Sequence, residues 1–250
     1  PPVSSLPVPA IMPPPMFGVP QDSVIASANQ TIQSQYAREL ASYKALLKQT
    51  GEAAVGRIGA VVMNCNPFTL GHRWLVEYAA QRVRHLYIFA VEEDKSIFPF
   101  KDRLELIKQG VEDLQNVTVL PSGKFIISSL TFVDYFNKSE LQDRVIDPSQ
   151  DVRLFAEEIA PVLNISVRFA GEEPFDKVTR QYNETMRRVL PEYGIAFEEI
   201  PRKEAGGEVV SASRVRALLE EGAFEEIAYQ LERLVPKTTL DYLQTRAKQV

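Results

Sequence analysis

The chain has 250 residues, 45% of them hydrophobic and 24% charged, and a net charge of −5. That length supports a full core in one or two domains, and the acidic balance excludes a general nucleic-acid surface, so any anion site must be a local basic cluster. One cysteine, Cys65, and two histidines, His72 and His85, exclude an intrachain disulfide and a Cys- or His-rich metal centre.

No protein metal site is expected. A Mg2+ ion would be held by carboxylates and substrate phosphates, as that ion commonly is. The cysteine usage fits a reducing compartment, and no apolar stretch is long enough to span a bilayer. The expectation is a cytoplasmic protein with no membrane partner.

Eight of the 17 prolines fall in the first 20 residues, which excludes a strand interior or a continuous helix there. Residues 1–26 read as a Pro-rich arm or linker. They have no basic n-region or compact apolar segment of a signal peptide. The first residue is Pro rather than Met, which fits a trimmed chain or a piece of a longer polypeptide.

Residues 27–57 form an N-terminal helix and connection. Ile32, Tyr36, Leu40, Tyr43 and Leu47 make a helical stripe, and Gly51 is the stop. It can pack on the main domain or on a partner.

Residues 58–222 alternate strand and helix: strands 58–63, 85–91, 117–120, 165–170 and 196–200, with helices 73–84, 101–115, 151–163, 178–190 and 211–221. Residues 223–250 read as a C-terminal helical extension interrupted near Pro236. This order predicts an α/β fold, a Rossmann-like parallel sheet with helices on both faces. Ligands in such sheets bind beyond the carboxyl ends of the strands. Four loops fall on that rim: 64–72, 92–103, 121–129 and 171–176.

The first loop reads Asn64-Cys65-Asn66-Pro67-Phe68-Thr69-Leu70-Gly71-His72 after the apolar run 58–63. Free N–H groups at a helix start favour an anion, Gly71 allows close approach, and Thr69 and His72 can bond phosphate oxygens. The plain alternative is a capping Thr and a surface His. A second such element lies late in the chain, where Ser211, Ser213, Arg214 and Arg216 cluster at a helix start. Here the alternative is a Ser cap with arginines on a solvated face.

Thr-x-Gly-His early and Ser-x-Ser-x-Val-Arg late together resemble the HxGH-type nucleotidyltransferase superfamily, with Val210 at the usual Ile of the second motif. The Asn64–His72 stretch resembles that of citrate lyase ligase more narrowly. Further segments agree in order: Asp94-Lys95, Phe98-Pro99-Phe100 with Arg103, Ser122-Gly123, Ile127-Ser128-Ser129, Thr131-Phe132, Tyr135-Phe136, Gly171-Glu172-Glu173-Pro174-Phe175, Val178–Asn183 and Ile200-Pro201-Arg202. The match runs from about Ile58 to about Leu243. Members of that family usually carry an acetyltransferase-like domain before the ligase domain. Here a Pro-rich arm and one helix stand in its place, and Cys65 replaces a usual small Ala.

The resemblance implies an AMP-forming acid–thiol ligase. Acetate and ATP, with Mg2+, give acetyl-AMP and pyrophosphate. The acetyl group then passes to the prosthetic-group thiol of the acyl-carrier subunit of citrate lyase. It implies that His72, Thr69 and Arg216 serve the triphosphate and transition state, with Lys95 as a further catalytic candidate. Asn64, Asn66, Pro67, Phe68, Gly71, Gly171, Glu173, Ser211, Ser213 and Arg214 form the nucleotide-binding set, and Arg103 and Arg180 are substrate candidates. Lys95 and Arg103 are equally readable as surface charges, and Arg180 as an ion-pair partner. Cys65 invites an acyl-enzyme, but its neighbours offer no base, and packing is the reading adopted. The alternatives are a nucleotidyltransferase acting on a phosphorylated metabolite and a non-catalytic nucleotide-binding module.

Overall fold

A computed structural model describes residues 21–51, 55–92, 96–132, 147–205 and 208–248. The chain divides into two units, Pro1–Ser42 and Tyr43–Val250. Helix α1, Gln21–Thr50, begins in the first. From residue 30 to 42 its side chains are mostly exposed, Ile32 at 64%, so that part of the predicted stripe is not core.

In the second unit, Tyr43 and Leu47 are buried, and the Tyr43 hydroxyl donates to the Pro121 carbonyl at 2.8 Å. Five strands form one parallel sheet: β1 (Ile58–Met63), β2 (His85–Ala90), β3 (Val117–Pro121), β4 (Val167–Gly171) and β5 (Ala196–Ile200). Their order is β3-β2-β1-β4-β5. β1 and β2 are buried almost throughout, which matches their continuous apolar sequences and a sheet covered on both faces.

On one face, α2 (Leu70–Ala80) and α3 (Phe100–Val111) pack over Val61, Met63, Leu86, Ile88 and Phe169. On the other, the helical stretch from α4 (Ser149–Leu154) to Leu163 and helix α5 (Lys177–Val189) cover the sheet. Phe155 of that stretch meets Phe89 edge-on, and the Arg168 guanidinium lies 4.4 Å from the Phe155 ring.

Strand order reverses between β1 and β4: the chain runs outward through β2 and β3, then crosses over to β4. That junction is where open α/β sheets place their ligand crevice. After β5, a short antiparallel hairpin, β6 (Glu204–Ala205) and β7 (Glu208–Val209), precedes α6 (Ala212–Glu221). Its strands are too short to carry a periodic signal, and sequence reading missed it.

The C-terminal helices α7 (Phe224–Glu232) and α8 (Lys237–Ala247) share a core with α6 and Phe98 through Val215, Leu218, Ile227, Leu231 and Leu243. They belong to the same compact unit as the sheet. No helix among the described residues is long and apolar enough to cross a membrane.

Candidate active site

The turn after β1 is built by its own side chains. Thr69 caps α2: its Oγ1 accepts from His72 N at 3.3 Å, while Thr69 N donates to His72 Nδ1 at 3.0 Å. This is a capping box in which an imidazole takes the place of the usual Glu or Gln. Helix α2 therefore starts three residues before the expected Arg73. Leu70 N donates to Leu234 O at 2.8 Å, so the C-terminal segment uses one first-turn donor. Of the N–H groups of Leu70, Gly71 and His72, only that of Gly71 has no partner among the described residues.

His72 Nδ1 is an acceptor, so the neutral ring carries its proton on Nε2. Burial, and then the charges of Arg202 and Arg216, push its pKa from 6.5 down to about 4. At neutral pH the ring is an uncharged N–H donor in a positive field. Phe68 stacks beside it, ring centres 5.8 Å apart. Phe68 is seated against Gly110, where a Cβ would fall 2.3 Å from the ring.

The start of α6 is open by contrast. Ser211 Oγ accepts from Arg214 N at 3.1 Å, and the N–H groups of Ala212 and Ser213 have no partner among the described residues. The two starts touch. A Cβ on Gly71 would lie 2.8 Å from the Val210 carbonyl oxygen, so only glycine lets them approach this closely. Arg216 spans them, its Nη1 donating to Asn66 O at 2.6 Å and its Nη2 to Ser213 Oγ at 3.1 Å.

Together they line a cleft of about 710 Å³ at the β1/β4 junction, with Asn64, Ser96, Gly171, Glu173, Phe175 and Arg202. That volume suits a nucleotide-sized ligand. Uncommitted N–H groups, one imidazole N–H and two guanidinium groups converge there, which makes it an anion receptor.

Of the sequence-predicted residues, Asn64, Asn66, Thr69, Gly71, His72, Gly171, Glu173, Ser211, Ser213 and Arg216 line the cleft. At Gly171 a Cβ would meet nothing within 4 Å, leaving room for a ligand. Glu173 is largely committed: one oxygen accepts from Phe175 N and Asp176 N, and the other pairs with Arg202.

Pro67, Phe68, Arg103, Arg180 and Arg214 do not line the cleft. Pro67 and Phe68 are buried beneath the turn. Arg103 is 0% exposed and ties Asn64, Val91 and Phe98 carbonyls together, so it acts on loops rather than on substrate. Arg180 is exposed and donates to Pro174 O. Arg214 pairs with Glu221.

Lys95 lies outside the described residues, as do Asp94, Tyr135 and Phe136. Asn183 Nδ2 donates to Gly171 O and to Glu199. Cys65 is 1% exposed and burial pushes its thiol pKa well up, which removes it as a nucleophile at neutral pH. Phe98 and Phe132 are buried core.

Sequence reasoning missed Arg202 as a site residue. Its Nε donates to Glu172 O, and its charge reaches His72. The available signal was its place just after β5, on the same rim as the other loops. Conversely, the loop from Pro121 to Ser129 does not line the cleft, because β3 is the edge strand.

Residues 58–243 match the citrate lyase ligase C-terminal domain family. The [Citrate [pro-3S]-lyase] ligase of Klebsiella pneumoniae is 42% identical over 222 residues, covering 86% of this chain and 60% of that protein. The Escherichia coli K12 ligase is 38% identical over 234 residues, covering 92% and 63%. The chain thus spans about 60% of the length of the curated relatives it matches. Among solved structures, the pantothenate synthetase of Thermus thermophilus aligns with a TM-score of 0.46 at 17% identity, covering 75% of this chain and 74% of that one. The cleft at the strand-order reversal sits inside the matched segment, and the chain belongs to the citrate lyase ligase family through that family's C-terminal domain.

Proposed function

We propose that the cleft binds ATP and activates a small carboxylate, acetate in the first instance, as its acyl-AMP. The carrying observation is the junction of the two helix starts through Arg216 and the Gly71–Val210 contact, which gathers the cleft's donors around His72. A carboxylate oxygen attacks the α-phosphorus, the bond to the bridging β-oxygen breaks, and pyrophosphate leaves. His72 Nε2–H and the Gly71 N–H stabilise the charge that builds on the phosphoryl oxygens, and Ser211, Ser213 and Arg216 hold the departing phosphates.

In the second step a thiolate attacks the acyl carbon, AMP leaves with the electron pair, and the thiol proton passes to solvent. The acceptor is the prosthetic-group thiol of the citrate lyase acyl-carrier subunit. Among the described residues no group of three His, Cys, Asp or Glu side chains converges. Mg2+ would enter this cleft on the triphosphate oxygens, where it would neutralise phosphate charge.

The test is isotope exchange between pyrophosphate and ATP across a panel of carboxylates. Exchange that requires acetate is the expected outcome. Exchange indifferent to acetate but dependent on a phosphate ester sinks the proposal in favour of a nucleotidyltransferase.

A further inference from the structure

We propose that Asn64 presents its amide NH2 group to an anionic oxygen of the ligand, and that Arg103 is the positioning residue that fixes this orientation. The inference deepens the reading of the cleft as a nucleotide and carboxylate site and rests on it.

The two ends of an Asn amide have nearly the same shape, so its neighbours decide which end faces a ligand. Arg103 decides it here. Its guanidinium is fully buried, with Nε donating to Phe98 O at 2.9 Å. Its Nη1 lies 2.8 Å from Asn64 Oδ1, Asn64 O and Val91 O. A guanidinium only donates, so the amide must turn its oxygen inward, and the reverse orientation would oppose two donors. Nδ2 then lies 3.1 Å from Ser96 Oγ, and both Asn64 and Ser96 line the cleft.

Ser96 Oγ lies 3.1 Å from Nδ2 and 3.3 Å from Oδ1, so it takes at most one of the two Nδ2 hydrogens and leaves another for an oxygen in the cleft. The buried cation behind the amide polarises it and strengthens that donor. The ligand group is a phosphate or carboxylate oxygen.

Asn64→Asp tests this with almost no change of shape. The new carboxylate still meets Arg103, so Tm should stay equal or rise. The cleft, however, now sees a negative oxygen where it had a donor. ATP titrated into the whole chain by calorimetry, and acetate varied in the exchange assay, are the two readouts. If the oxygen belongs to a phosphate, the Kd for ATP rises about tenfold or more. If it belongs to the carboxylate, ATP binding holds and the KM for acetate rises by about that factor.

Both constants staying within about twofold would overturn the inference. So would a Tm drop beyond about 5 °C, since Arg103 would then not be holding Oδ1. Asn64→Ala, which removes the donor without adding charge, should move the same constants in the same direction by less. A wild-type chain that binds ATP but shows no acetate-dependent exchange refutes the acetate reading while leaving the titration decisive for Asn64.

Discussion

The two helix starts at the cleft solve the same problem in opposite ways. At α2 the cap closes on itself: Thr69 and His72 exchange hydrogen bonds, and Leu234 takes Leu70 N. One backbone donor remains, and the main product of the arrangement is a fixed imidazole tautomer. At α6 the cap spends only the Ser211 hydroxyl, and two backbone donors stay open beside Arg216. The first start is built to orient a side chain, the second to receive an anion. Motifs that look alike in sequence therefore offer different groups, and in the proposed reaction α2 would serve the reacting phosphorus and α6 the phosphates that leave.

His72→Ala should break that division most visibly. Turnover in the exchange assay should fall by about a hundredfold or more, the scale for losing one transition-state donor, while calorimetric ATP binding stays mostly in place. Equal losses of turnover and binding would mean that α2, like α6, serves only to hold the ligand. Gly71→Ala attacks the seam instead. The new Cβ would stand 2.8 Å from the Val210 backbone oxygen, and backbone must move. A destabilisation of about 1–3 kcal/mol by denaturant unfolding is expected, as for overpacking elsewhere. An unperturbed Tm would show that the two starts are not in van der Waals contact.

The sheet and its crossovers were legible because buried parallel strands are continuous apolar runs, as in Ile58–Met63 and His85–Ala90. Where α2 begins was not, because the box acceptor is a histidine ring rather than the usual Glu or Gln. The long 151–163 helix was legible as helix but not as a stretch that changes type before Leu163. Within the site, residue type marked His72, Ser211 and Arg216, but direction decided the rest. Arg103 and Arg214 are cations in the right motifs that point elsewhere, and spacing along a chain does not carry that information. Arg202 gave the opposite error: its residue type matches any surface arginine, and only its place just after β5 marked it. Its importance comes from Glu173 across the β4/β5 loops.

The smallest effect sharpens the electrostatic side of the comparison. Burial is the first cause of the depressed His72 pKa and the charges of Arg202 and Arg216 follow. Arg202→Gln removes one cation while keeping a donor for Glu173. The His72 midpoint should then rise above about 4 but stay below 6.5, since burial is unchanged. The ring's proton is disfavoured in the folded state, so stability is fully present above pH 6.5 and is lost as pH falls from there toward 4. In the variant that window narrows from its acid end, and unfolding between those limits becomes less pH-dependent. NMR titration of the imidazoles reads this directly, because the chain has two histidines and His85 is held apart against Thr118. A midpoint unmoved by the substitution would assign the depression to burial and Arg216 alone. Burial together with Arg216, and not Arg202, would then be what keeps His72 neutral.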